Sequence, residues 1–130
     1  MLERVLLVGL GGAVGSVLRF LTSMLAATWF GVDFPYGTFI VNLVGSFMIG
    51  LVQEVGTDTL VISDTARIFL TTGIMGGLTT YSSFSYETVR LMEAHAWAQA
   101  WINIITTTAL CVSLCFLGIA VGRQLLALRG

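Results

Sequence analysis

The stretch from Gly73 to Glu87, GIMGGLTTYSSFSYE, carries the residue types best suited to ion chemistry. It lies within a long apolar segment, yet it holds paired glycines and five Ser or Thr residues between positions 79 and 85. In lipid, irregular backbone is tolerated only where protein buries it or where it lines a cavity. The stretch therefore predicts a broken transmembrane helix, which is a candidate ion or substrate site.

Donor groups for a small anion are plentiful around this break. Amide and hydroxyl donors can replace the hydration shell of an anion, and aromatic ring edges are partly positive. Tyr81 and Phe84 are three residues apart on one helical face, so they either pack as ordinary aromatics or present ring edges to an anion. No carboxylate lies near the middle of a span, which argues against a proton-coupled cation transporter. The candidate donors are Asn42, Thr79, Thr80, Ser82, Ser83, Ser85, Thr106, Thr107 and Thr108.

The unwound backbone would also free carbonyl oxygens, which are ligands for hard cations. If Gly76 and Thr79 of two chains met on a symmetry axis, their four carbonyls would surround one point. An alkali cation held there would raise the local potential for anions without any charged side chain. This cation site is a hypothesis of geometry and symmetry.

The composition is that of an integral membrane protein with a single domain. Of the 130 residues, 56% are hydrophobic and only 10% are charged, whereas about a quarter are charged in globular proteins. All six basic residues are Arg and the net charge is −1, so there is no basic stripe for nucleic-acid binding. Cys111 and Cys115, with a single His, cannot assemble a metal-ligand set. We expect both thiols to be reduced and buried.

Hydropathy predicts four membrane-spanning helices, at about residues 5–30, 38–55, 65–92 and 97–126. The glycines between positions 9 and 15 do not form a nucleotide loop, because no strand precedes them and no phosphate-binding Lys follows. Gly11 and Gly15 instead predict close helix packing. The six Arg residues give only a weak positive-inside bias. A weak bias permits insertion in both orientations, and two such copies could pack as an antiparallel pair about a two-fold axis.

Polar residues within the first two spans leave alternatives open. Arg19 lies about fifteen residues into its span, so it either snorkels to the interface or supplies positive potential at an aqueous vestibule. Thr38, Asn42 and Ser46 are four residues apart and form one hydrogen-bonding stripe. A buried Asn amide must find partners, so Asn42 either joins two helices or donates into a pore.

The string GGLTTYSSFSYE closely resembles the hallmark of the Fluc (CrcB-type) fluoride channels, usually GGLTTFSTFSxE. The resemblance extends to GLGGAVGSVLRF in the first span and PYGTFIVNLVGSFMIG in the second. It implies an all-α, dual-topology, antiparallel homodimer of four-helix subunits in the bacterial inner membrane, each with its third helix broken in mid-membrane. It also implies two pathways for passive fluoride export, which lowers fluoride toxicity, and a central structural sodium ion.

The resemblance assigns roles by motif position. It implies sodium binding by the backbone carbonyls of Gly76 and Thr79, a fluoride pathway of Asn42, Tyr81, Phe84, Ser82, Thr107 and Ser113, and a vestibule of Arg19, Thr38 and Glu87. Two departures from the family pattern stand out. Tyr81 replaces the usual first phenylalanine, and Cys111 and Cys115 fall where hydroxyls are expected on the fourth helix. Thr107 fits that polar track, with Ser113 or Thr106 as substitutes if the register differs.

Two other classes of protein compete with a fluoride channel. A small dual-topology multidrug exporter needs a membrane-embedded carboxylate in its first helix, whereas Glu3 is terminal here. A structural or assembly subunit would leave the polar, broken helix unexplained. An enzyme is not expected, because Ser, His and acidic residues are too few and too scattered for a hydrolytic triad.

Overall fold

The computed structural model of the protein describes residues 1–58 and 60–129. Within these residues all regular structure is helical, and three of the helices are long and apolar enough to cross a membrane. The prediction of an all-α membrane protein is thereby confirmed. The helices are α1 (Leu2–Phe30), α2 (Tyr36–Val55), α3 (Asp64–Ile68), α4 (Gly76–Leu78), α5 (Tyr81–Glu93) and α6 (Trp97–Ala127), with a π-helix (Phe69–Met75) between α3 and α4.

The connection between α1 and α2 follows from local chemistry. Gly31 ends α1 in the left-handed region, with φ 84°, a conformation that glycine adopts at no steric cost. Pro35 precedes α2 with φ −77°, which is close to the value that its ring imposes and is compatible with helix initiation. The helix therefore begins at Tyr36, two residues before the predicted start.

The third predicted span is divided, and the interruption falls within the stretch that the sequence singled out. Ser63 caps α3, because its Oγ accepts a hydrogen bond from the Ala66 N–H at 3.2 Å. Thr79 and Thr80 are extended, with ψ 154° and 116°. Thr80 then caps α5, its Oγ1 accepting from the Ser83 N–H at 3.1 Å. Hence α5 can point independently of the segment before the break.

Small residues allow α1 to lie directly on the divided segment. A Cβ added to Gly11 would be 2.9 Å from the Gly73 Cα, and one added to Gly15 would be 2.8 Å from the Leu78 nitrogen. Both separations are too short for a side chain. The predicted close packing at Gly11 and Gly15 is confirmed, and it holds the backbone leading to the break against α1.

Large apolar side chains cover the outside of the helices. Phe20 is 64% exposed on α1 and Phe116 is 75% exposed on α6. In water such surfaces would be unfavourable, whereas in a bilayer they contact lipid tails. The buried core is small and centres on Val41, Met75 and Leu78, beside the break.

Candidate functional site

A cavity of about 600 Å³ opens beside the break. It is lined by residues from α2, the divided third segment and α6, and its described lining residues are all uncharged. Six of the predicted site residues line it together: Asn42, Gly76, Thr79, Tyr81, Phe84 and Thr107. An ion in this cavity would meet neutral dipoles rather than fixed side-chain charges.

Asn42 joins α2 to the break. Its Oδ1 accepts from the Thr80 N–H at 2.8 Å, and its Nδ2 donates to the Thr80 carbonyl at 3.1 Å. Both residues are buried, at 8% and 7% exposure. The Asn42 side-chain amide therefore supplies the hydrogen bonds that the Thr80 N–H and carbonyl would otherwise lack. Asn42 thus joins α2 to the start of α5. Its second side-chain N–H has no acceptor among the described residues, so it can donate to an ion in the cavity that Asn42 lines.

The two aromatic residues of the motif occupy different environments. The ring centroids of Tyr81 and Phe84 are 5.5 Å apart, with an interplanar angle of 50°. Phe84 is 8% exposed, whereas Tyr81 is 80% exposed. Phe84 is therefore packed within the subunit, and Tyr81 projects from it.

A buried hydrogen-bond chain connects α6 to α5. Asn103, only 1% exposed, donates from Nδ2 to Thr88 Oγ1 at 2.9 Å. Thr88 in turn donates to the Phe84 carbonyl at 2.7 Å, and Thr107 donates to Asn103 Oδ1 at 3.2 Å. The sequence analysis missed Asn103 and Thr88. The signal was available, since Asn103 is an amide within an apolar span and lies one turn before Thr107.

A second cavity, of about 370 Å³, lies where the end of α1, the start of α2 and α5 meet. Thr38 and Glu87 both line it, and Thr38 Oγ1 donates to Glu87 Oε1 at 2.8 Å. The other carboxylate oxygen, Oε2, is buried without a partner among the described residues. Arg19 does not line this cavity but lies one helical turn before Ser23, which does.

The remaining predicted residues lie outside both cavities. Ser82 is exposed at the start of α5, with its Oγ 3.2 Å from Thr80 Oγ1. Ser113 is exposed on α6, whereas Cys111 lines the larger cavity. Cys111 is one turn from Thr107, and Ser113 is rotated by about 200° from Cys111. The expectation that the thiols are buried was wrong, because Cys111 and Cys115 are partly exposed on an outer helix.

Gly76 and Thr79 show how this region could hold a hard cation. Gly76 is exposed and helical, and an added Cβ would meet only the Thr71 carbonyl oxygen, at 3.8 Å. Nothing among the described residues therefore requires glycine at this position. Thr79 leaves the helical conformation, and carbonyls at a helix end lack partners inside the helix. Neutral oxygen donors of this kind suit alkali and alkaline-earth cations.

Comparison with known proteins gives a consistent result. Residues 6–119 match the family model described as CrcB-like protein, Camphor Resistance (CrcB). The chain is 45% identical over 126 residues to a "Fluoride-specific ion channel FluC" of Sorangium cellulosum (strain So ce56), with 97% of this chain and 99% of the relative covered. It is 42% identical to the protein of the same name from Geobacter sp. (strain M21), with 95% and 100% covered. The protein of that name from Roseiflexus sp. (strain RS-1) is also 42% identical, with 93% and 98% covered.

Proposed function

This chain belongs to the CrcB family, a family of fluoride ion channels rather than enzymes, and on that premise we propose that it is a fluoride-selective channel. In this proposal fluoride leaves the cytoplasm passively, which lowers its toxicity to the cell. Acid entry as HF, followed by dissociation inside, supplies the gradient. The protein is a multi-pass membrane protein, and we place it in the bacterial inner membrane.

The observation that carries the proposal is the uncharged cavity at the helix break. The start of α5 offers backbone N–H groups and the positive end of a helix dipole. Asn42 adds an amide N–H, and the rings of Tyr81 and Phe84 add partly positive edges. Conduction requires an ion to bind well enough to enter and weakly enough to leave. Neutral donors meet both requirements better than a fixed Arg or Lys.

Two features of one face of the subunit support a homodimer, which we propose to be antiparallel. Tyr81 is 80% exposed although it lies in the central motif, and no described neighbour of Gly76 explains its lack of a side chain. A second copy packed on this face would cover Tyr81 and use the space at Gly76. The dimer would have four spans per subunit, with α3 to α5 forming the divided third span, and two pathways.

We also propose that Na⁺ is bound at the centre of this dimer. The backbone carbonyls of Gly76 and Thr79 from both subunits would hold it. When bound, the ion would supply a fixed positive charge close to both pathways. It would also fix the two helix breaks relative to each other.

Further residues extend the proposed pathway on either side of the break. Ser82 stands at the start of α5, and Thr107 and Cys111 line the cavity from α6. Ser113, exposed on α6 outside this cavity, would join the pathway at the surface that the second subunit covers. Thr38 and Glu87 form the vestibule, with Arg19 as its source of positive potential. Membrane lipid contacts the outer faces.

The decisive experiment measures ion efflux from proteoliposomes with a fluoride electrode, repeated with chloride. The wild-type protein is expected to release fluoride rapidly and to retain chloride. Phe84→Ile is expected to abolish fluoride efflux with the dimer intact, whereas Phe116→Ile, an exchange on the outer face of α6, should preserve it. Equal fluoride efflux from both variants would refute the pore role of Phe84. Absence of fluoride efflux from the wild-type dimer would support an assembly subunit without transport, and proton-coupled efflux of a cationic drug would support the multidrug exporter.

The antiparallel arrangement needs its own test. Tags at both termini, probed in intact cells and in permeabilised cells, are expected to be found in equal amounts on both sides of the membrane. Because all copies in a parallel dimer share one orientation, a single orientation would refute the antiparallel assembly while leaving the fluoride channel standing.

A further inference from the structure

We infer that Asn103 is a positioning residue for the proposed pathway, because through Thr88 it fixes the place of Phe84 against α6. The effect that we expect on fluoride conduction rests on the proposed function. The structural part of the inference, the link from Asn103 to Phe84, is independent of which ion passes.

The hydrogen-bond chain has a defined direction. The Asn103 amide donates to Thr88 Oγ1, so the Thr88 hydroxyl proton is available for the Phe84 carbonyl. Asn103 and Thr88 are 1% and 5% exposed, and buried polar groups without partners are strongly disfavoured. The chain is therefore satisfied in one register of α5 on α6. A shift of α5 by one residue would break the Asn103–Thr88 bond between the helices, whereas the Thr88–Phe84 bond lies within α5 and would move with it.

Among the described residues, the Asn103–Thr88 side-chain bond joins α5 to α6, whereas the Thr38–Glu87 and Asn42–Thr80 bonds tie α5 and its cap to α2. The position of α5 on α6 therefore depends on the Asn103–Thr88 bond. Only Phe84 and Thr88 are buried along the thirteen residues of α5. The break at Thr79 and Thr80 separates α5 from α4, so the segment packed on α1 does not hold it rigidly. An amide and a hydroxyl therefore carry much of the specificity that apolar packing supplies in other helices.

Asn103 also determines what Thr107 offers to the cavity. The Thr107 hydroxyl donates to Asn103 Oδ1 at 3.2 Å, so its oxygen lone pairs rather than its proton are left for the cavity. Asn103→Leu removes this acceptor as well as the link to α5. Thr88→Val removes only the link to α5, so comparing the two variants separates the two effects.

The test places 4-fluorophenylalanine at position 84 and records its ¹⁹F resonance in the full-length protein in micelles, together with fluoride efflux in liposomes. Thr88→Val and Asn103→Leu are expected to shift or split the resonance and to slow efflux about tenfold or more, as loss of one buried hydrogen bond implies. Thr88→Ser, which keeps the hydroxyl, is expected to restore both. The double variant should change the resonance no more than the larger single change, because both residues belong to one link.

The matched control is Thr28→Val. Thr28 makes the same type of bond, from its hydroxyl to the Met24 carbonyl at 2.9 Å, but it is exposed on α1 and bonds to no second helix in the described part of the protein. It should leave the resonance and the efflux unchanged. A resonance that stays in place in both Thr88→Val and Asn103→Leu would overturn the inference, as would a shifted resonance with wild-type efflux. Absence of fluoride efflux from the wild-type protein would instead refute the proposed function, and the resonance would still decide the structural link.

Discussion

Replacing Asn42 by leucine tests whether this side chain holds the helix break in place. Leucine has nearly the same shape as asparagine but can neither donate nor accept a hydrogen bond. The change removes both bonds to the Thr80 peptide, at 2.8 and 3.1 Å. The Thr80 N–H and carbonyl would then be buried without partners, since Thr80 is only 7% exposed.

The expected effect is large for a single substitution. Each buried group left unsatisfied costs about 1–3 kcal/mol. Two such groups should therefore lower the free energy of local unfolding at the break by about 2–6 kcal/mol. Since about 1.4 kcal/mol corresponds to a factor of ten, hydrogen exchange at the Thr80 amide should accelerate at least about thirtyfold. The upper limit is set by global unfolding of the subunit.

The assay is hydrogen exchange of the Thr80 amide in micelles, read by NMR or by mass spectrometry of short peptides. Ser46→Ala is the matched control, since Ser46 lies one turn further along α2, lines the same cavity and has no side-chain hydrogen bond among the described residues. It should leave the exchange rate at Thr80 unchanged. If Asn42→Leu accelerated exchange no more than Ser46→Ala does, the anchoring role of Asn42 would be refuted.

Two further predictions concern stability. Gly15→Ala is expected to destabilise the protein by about 1–3 kcal/mol, because the added methyl would collide with the Ile74 carbonyl. Gly9→Ala, where an added Cβ would meet no atom of the described residues within 4 Å, should be neutral or slightly stabilising, and unfolding in mixed micelles compares the two variants. His95 has φ 57° in the turn after α5 and is exposed, so His95→Gly should raise the free energy of unfolding by about 1 kcal/mol, whereas a lower midpoint than wild type would contradict the backbone argument.

The sequence predicted those features that depend on local residue types. Paired glycines and clustered hydroxyls inside an apolar span predicted the break, and the spacing of Gly11 and Gly15 predicted the packing face of α1. The π-helix from Phe69 to Met75 was not predicted, because bonding from residue i to i+5 reflects packing and leaves no distinct residue pattern. The exposure of Cys111 depends on how α6 is rotated in the bundle, which spacing alone does not fix.

The hydroxyl groups near the break are largely engaged within the subunit. Thr79 donates to the Met75 carbonyl at 2.8 Å, and Ser85 donates to the Tyr81 carbonyl at 2.9 Å. Counting donors in the sequence therefore overstates how many face an ion, because a hydroxyl proton can reach an anion only by leaving its present acceptor. Such an exchange of one hydrogen bond for another changes the free energy by only about 1 kcal/mol.

Weak exchange of this kind suits a channel better than a binding protein. An anion that gains little from each hydroxyl is also released quickly, as conduction requires. Asn42 differs from the hydroxyls, because one of its N–H groups holds the Thr80 carbonyl while the other has no acceptor among the described residues. It can therefore contact an anion without giving up a bond, and it is held in position by the break itself. The two bonds to Thr80 thus hold the helix break in place and also orient the Asn42 amide, whose second N–H can bind a passing ion without losing an existing hydrogen bond.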